Sequence, residues 1–170
     1  MLSKKMEDAL NEQINAETYS AYLYWSMAAY FDSINLSGFA GWMRAQAQEE
    51  MSHAVKFYGF VNERGGRVKL AAIEAPPTEW DSPVAVFQAT LDHERKVTGL
   101  INNLVDMAIS EKDHAANAFL QWFVTEQVEE EATADDILRK LTLAGDAPGA
   151  LLMMDRGLGA RGAASGGQEG

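Results

Sequence analysis

The stretch AQEEMSHAVKFYGF, residues 47–60, carries Glu49, Glu50 and His53 on or beside a helical apolar stripe of Met43, Ala47, Ala54, Phe57 and Val61. Positions repeating at about 3.6 residues face a core. An unpaired carboxylate there costs several kcal/mol or gives up its charge. Three further acids interrupt stripes in the same way. Glu17 stands among Leu10, Ile14, Ala21, Tyr24, Ala28 and Phe31. Glu94 stands among Val84, Phe87, Leu91, Thr98, Ile101, Val105 and Ala108, and Glu130 among Phe119, Phe123, Ala134, Ile137 and Leu141. Four carboxylates in one apolar interior cannot all ionise unless cations join them, so the pattern asks for metal. Glu50-x-x-His53 puts a carboxylate and an imidazole on one helix face, where both can reach a single ion. Mixed carboxylate and single-imidazole ligation suits iron or manganese rather than zinc.

These residues need four long helices to hold them. The first is predicted over about residues 4–32 and the second over 37–63, with Ser37 as N-cap and Gly65-Gly66 as the stop. The third opens at Asp81-Ser82-Pro83, where Ser82 caps and Pro83 fits the first turn. The fourth runs from near Asp113 to near Gly145. Each is roughly 40 Å long, and each acid lies near the middle of its helix. Midpoints of packed helices share a level whichever way the chain runs, so the acids should lie within roughly 5 Å of one another along the bundle axis.

The connections are unequal. Helices one and two, and three and four, are joined by a few residues, which makes each pair antiparallel. Between helices two and three lies GGRVKLAAIEAPPTEWD, about 17 residues, which extends to roughly 55 Å and can travel the bundle length. The expected fold is an all-α four-helix bundle with one long crossover between helices two and three, the ferritin-like connectivity. Residues 1–145 form the bundle. Asp146 and Pro148 open a short fifth helix over 146–161 carrying Leu151, Leu152, Met153 and Met154, and the Gly/Ser-rich 162–170 reads as a flexible tail.

Beside the four acids stand Glu49, Glu126 and Glu129, spaced for a looser third site. On the fourth helix the motif spacing reads Gln127-x-x-Glu130, so the second imidazole is missing, Gln127 joins the candidate metal residues, and a second ion would be held by oxygen ligands. The 170 residues suit one domain, and the hydrophobic fraction of 47% is ordinary. The chain has no cysteine, which excludes disulfides, thiolate metal sites and cysteine catalysis. The start, MLSKKMEDAL, lacks a signal peptide's apolar core, and no apolar run is long enough to span a bilayer. A cytoplasmic protein is expected. The net charge of −11 disfavours nucleic acid and anionic lipid and favours cations.

Over residues 3–161 the sequence resembles the prokaryotic non-haem ferritins. The likeness rests on Glu17 within INAETYSAYLY, on QEEMSH with Glu49, Glu50 and His53, on SPV before the third helix, on Glu94, and on FLQWFVTEQVEEE with Glu126, Gln127, Glu129 and Glu130. The resemblance implies a ferroxidase centre. Glu17, Glu50 and His53 would bind the first iron, and Glu50, Glu94 and Glu130 the second. Glu49, Glu126 and Glu129 would form the third site, with Tyr24 beside the centre. It further implies Fe(II) oxidation by dioxygen or hydrogen peroxide and ferric mineral stored in a homo-oligomeric 24-subunit cage. That cage is built from two-fold dimers whose crossovers pair, with the fifth helix at four-fold contacts. Bacterioferritins differ in carrying a second Glu-x-x-His and a haem-ligating methionine. Here Gln127-x-x-Glu130 replaces the motif and Ser52 separates Met51 from His53, so no haem is expected.

Plainer readings apply to single residues. A run such as Glu129–Glu131 is usually a solvated face, a lone His53 is usually a satisfied helix residue, and Tyr24 and Trp122 suit packing. Glu7, Glu12, Glu63 and Glu111 read as surface. Two other functions compete: a di-iron oxygenase or peroxidase, which usually shows the paired motif, and a silent structural bundle, which would replace the four acids with leucine.

Overall fold

The structure, a computed structural model, describes residues 1–165. Five helices follow in order, α1 Lys4–Ser33, α2 Ser37–Glu63, α3 Pro83–Ser110, α4 His114–Ala144 and α5 Pro148–Ser165. The first four form the bundle, α1 pairing with α2 and α3 with α4.

Local chemistry sets most of the boundaries. Ser3 Oγ accepts from Met6 N, Ser82 Oγ from Ala85 N, and Asp113 Oδ1 from Ala116 N, so three N-termini are capped by their own side chains. Pro83 occupies the first turn of α3. The α1–α2 turn places Asn35 at φ 61°, and the α3–α4 turn places Lys112 at φ 57°. Asn tolerates that left-handed geometry. Arg64, just past α2, grips Asp113 with two nitrogens at 3.0 Å each and fastens the end of one helix to the start of another.

The start of α2 differs from expectation. Ser37 is the first helical residue, Leu36 precedes it, and no local side chain caps the turn. The acceptor comes from α5 instead, where Asp155 Oδ1 receives Phe39 N at 2.9 Å. The two helices can meet closely because Gly38 has no side chain. A Cβ there would lie 1.7 Å from the Asp155 carbonyl oxygen. Leu151, Met154 and Leu158 of α5 pack on the core, while Leu152 and Met153 stay exposed. The helix also runs to Ser165, past the expected end at 161. Residues 166–170 of the expected tail lie outside the described residues.

The crossover, residues 66–80, has no regular secondary structure. Polar side chains of α1 pin it instead. Glu7 accepts from Arg67 N, Asn11 bonds both Arg67 O and Lys69 N, Asn15 donates to Ala72 O, and Ser26 to Pro77 O.

The core consists of two apolar clusters. One gathers Tyr24, Phe31, Phe39, Trp42, Phe87 and Leu141. The other gathers Met6, Leu10, Phe57, Ile101, Leu120 and Phe123, with Phe57 and Phe123 stacked at 4.3 Å. On α3 and α4 the deepest positions shift slightly from the sequence stripe. Val97, Leu104 and Leu120 are buried, and Val84, Thr98, Val105 and Phe119 are half-buried. Each fully buried large apolar side chain contributes about 1.5–3 kcal/mol, which lets the bundle tolerate the polar layer between the two clusters.

Candidate metal centre

That layer is built from helix middles. Glu17, Glu50, Glu94 and Glu130 are 1, 2, 1 and 7% exposed, and His53 is 2% exposed. The four stripes therefore deliver their acids to one dry level, one from each helix.

Glu17, Glu50 and His53 come closest to a ready ligand set, each offering a ligand atom within 4.8 Å of the others. His53 Nδ1 lies 3.2 Å from Glu50 Oε2 and 4.0 Å from Glu17 Oε2. Gln13 Nε2 donates to Glu17 Oε1 at 2.7 Å, while Glu17 Oε2 is buried without a hydrogen-bond partner. A buried acceptor left over in this way is satisfied when a cation binds beside it. The rings of Trp122 and Phe123 meet the His53 ring edge-on and wall this half of the site.

Glu94 and Glu130 are held by neutral donors. Tyr24 OH donates to Glu94 Oε1. Gln127 Nε2 donates to Glu94 Oε2 at 3.1 Å, to the Glu94 carbonyl at 3.2 Å and to Thr98 Oγ1 at 3.3 Å. Gln46 Nε2 donates to Glu130 Oε2 at 2.9 Å. Gln127, expected among the metal residues, thus turns its amide nitrogen toward Glu94, the placement of an orienting residue rather than of an oxygen ligand.

Electrostatics follow from burial. Desolvation, with Glu50 adjacent, pushes the Glu17 carboxyl well up, and desolvation with Glu94 nearby does the same to Glu50. Burial raises Glu94 against the pull of the Tyr24 and Gln127 donors. Burial and the charge of Glu94 push Glu130 up to about 8. The Tyr24 phenol is driven well up by burial and by Glu94. Near neutral pH Glu130 therefore holds a proton when no cation is bound, and a divalent ion would displace it.

A second group flanks the first. Glu49, His53 and Glu126 also place ligand atoms within 4.8 Å, His53 being common to both groups. Glu126 is raised by burial and by Glu49. Glu129 is exposed and lies outside this group, although its charge helps raise Glu126. The sequence reading missed Gln13, Gln46 and Thr98. The signal for the first two was an amide one turn before Glu17 and before Glu50.

Fold and site together define a four-helix bundle built around a buried carboxylate–histidine centre able to hold metal ions. The chain belongs to the ferritin family, whose ferritin-like domain matches residues 7–144. It is 48% identical to a bacterial non-heme ferritin of Bacteroides fragilis (strain 638R) over 161 residues, covering 95% of this chain and 100% of that one. A bacterial non-heme ferritin of Staphylococcus aureus (strain USA300) is 40% identical over 161 residues, with 95% and 97% covered. Among solved structures, the chain superposes on an open-pore ferritin from the hyperthermophilic archaeon Archaeoglobus fulgidus with a TM-score of 0.93. That match is 60% identical and covers 94% of this chain and 98% of the other. No helix among the described residues is long and apolar enough to cross a membrane.

Proposed function

We propose that this protein is an iron-storage ferritin that oxidises Fe(II) and retains the Fe(III) product as a mineral within a homo-oligomeric cage of 24 subunits in the cytoplasm. The reading is carried by one observation: four buried acids and His53 gathered in a single buried layer, with no hydrogen-bond donor on Glu17 Oε2. Fe(II) is the substrate. Glu17, Glu50 and His53 hold the first ion, and Glu50, Glu94 and Glu130 the second, with Glu50 shared. Two Fe(II) each lose one electron. Dioxygen takes both with two protons to give hydrogen peroxide, or hydrogen peroxide takes them with two protons to give water. Ionised carboxylates stabilise Fe(III) more than Fe(II), which favours the oxidised pair. Tyr24, Gln127 and Gln46 keep Glu94 and Glu130 oriented toward the layer. Glu49 and Glu126, with His53 common to both groups, form a flanking site through which iron leaves the pair, and the exposed Glu129 adds negative charge beside it. The rings of Trp122 and Phe123 limit water at His53.

The test is iron incorporation. Fe(II) is added in air to the purified protein at several tens of ions per chain, followed by size-exclusion chromatography with iron and protein monitored together. Iron co-eluting with a particle near 24 subunits supports storage. Iron lost as precipitate, with protein eluting iron-free, rejects it.

A further inference from the structure

Glu94 is reached by a hydrogen-bonded chain that starts at the protein surface. Glu131 is half-buried, with Arg95 Nε 4.0 Å from its Oε2. Its Oε1 accepts from Thr98 Oγ1 at 2.6 Å. Thr98 Oγ1 in turn accepts from Gln127 Nε2 at 3.3 Å, and the same Nε2 is shared with Glu94 Oε2 at 3.1 Å and the Glu94 carbonyl at 3.2 Å. The polarity of this chain has a direction. Thr98 has a single hydroxyl proton, and its bond to Glu131 Oε1 commits that proton outward. Thr98 is left with lone pairs facing Gln127 and can only accept there. The Gln127 amide must then present NH2 rather than its carbonyl oxygen, and NH2 is what Glu94 needs. The reversed amide would set a carbonyl oxygen against both the Thr98 lone pairs and the Glu94 carboxylate.

We propose that Thr98, its hydroxyl aimed by Glu131, is a positioning residue that fixes the Gln127 amide and through it the Glu94 carboxylate for the second metal ion. The inference rests on the ferroxidase reading above and adds two residues to it, neither of which touches the metal. Glu17, Glu50 and His53 make no hydrogen bond to the chain, which reaches the first ion only through the Glu50 it shares with the second, so the first ion is affected least. Outer hydrogen-bond partners of metal ligands typically change affinity by about 10–100-fold.

The experiment is a titration of the metal-free full-length protein with Co(II) under anaerobic conditions, followed by calorimetry and by the visible absorption of bound Co(II), in wild type, Thr98→Val, Thr98→Ser and Glu131→Ala. The wild type should bind in two resolved steps. Thr98→Val should affect the first step least, weaken the second about tenfold or more, and alter the absorption of the second ion. Thr98→Ser keeps the hydroxyl and should restore both, while Glu131→Ala should fall between. If Thr98→Val binds the second ion with wild-type affinity and spectrum, the inference is overturned. If Thr98→Ser fails to restore binding, the effect is one of packing and the inference is again overturned. A wild type that binds no Co(II) would instead reject the metal-centre reading itself.

Discussion

Glu130 makes the metal-free protein sensitive to pH in a calculable way. Burial and Glu94 raise its carboxyl from the ordinary 4.5 to about 8. Between those values the folded chain binds a proton that the unfolded chain has released, so stability falls as pH rises. It is fully present below about pH 4.5 and lost progressively up to about pH 8. At about 1.4 kcal/mol per unit, keeping Glu130 in the fold costs about 3 kcal/mol at pH 7 and under about 1 kcal/mol at pH 5. Glu130→Gln removes the titration while retaining shape, and Gln46 can turn its carbonyl oxygen to accept from the new amide. Metal-free Glu130→Gln should therefore unfold at higher urea than wild type at pH 7, and at a similar concentration at pH 5. The assay is urea unfolding of chelator-treated protein at fixed concentration, with both variants shown to share one oligomeric state. A Glu130→Gln variant less stable than wild type at pH 7, or a difference that does not change with pH, would refute the reasoning.

Loading the wild type anaerobically with Fe(II) at about 100 times its dissociation constant should raise stability by about 2.7 kcal/mol per site. Glu130→Gln should gain less, as read from the same urea curves. Asp155→Ala removes the acceptor for Phe39 N and should cost about 1 kcal/mol of α2 capping, with Asp155→Asn retaining most of it. Gly38→Ala drives a methyl to within 1.7 Å of the Asp155 carbonyl oxygen. It should lift α5 from α2, seen as faster proteolysis after α4 while the bundle stays folded.

The bundle was legible because each helix writes its buried face at a 3.6-residue period and because Ser82, Pro83 and Asp113 mark helix starts locally. The acids were legible for a related reason: Glu17, Glu50, Glu94 and Glu130 are the wrong chemistry for a core and lie at helix midpoints. What escaped the sequence was set by contacts distant along the chain. Ser37 looks like a cap, yet the acceptor at that turn is Asp155, which no local pattern connects to Phe39. Gln46 lies one turn before Glu50 but bonds Glu130, on another helix. Glu131 reads as part of a solvated acidic run, and only the packing of α3 on α4 joins it to Thr98. Glu129, singled out with its neighbours, is exposed because it falls one position off the buried face.

The central claim is that the buried layer binds and oxidises iron as a pair. The most direct measurement is stopped-flow absorbance on mixing metal-free protein with increasing Fe(II) in air-saturated buffer, beside Glu130→Ala. The account predicts a fast phase whose amplitude saturates at about two irons per chain and which Glu130→Ala slows at unchanged helical content. Oxidation no faster than that of free Fe(II), or an identical fast phase in Glu130→Ala, would contradict it.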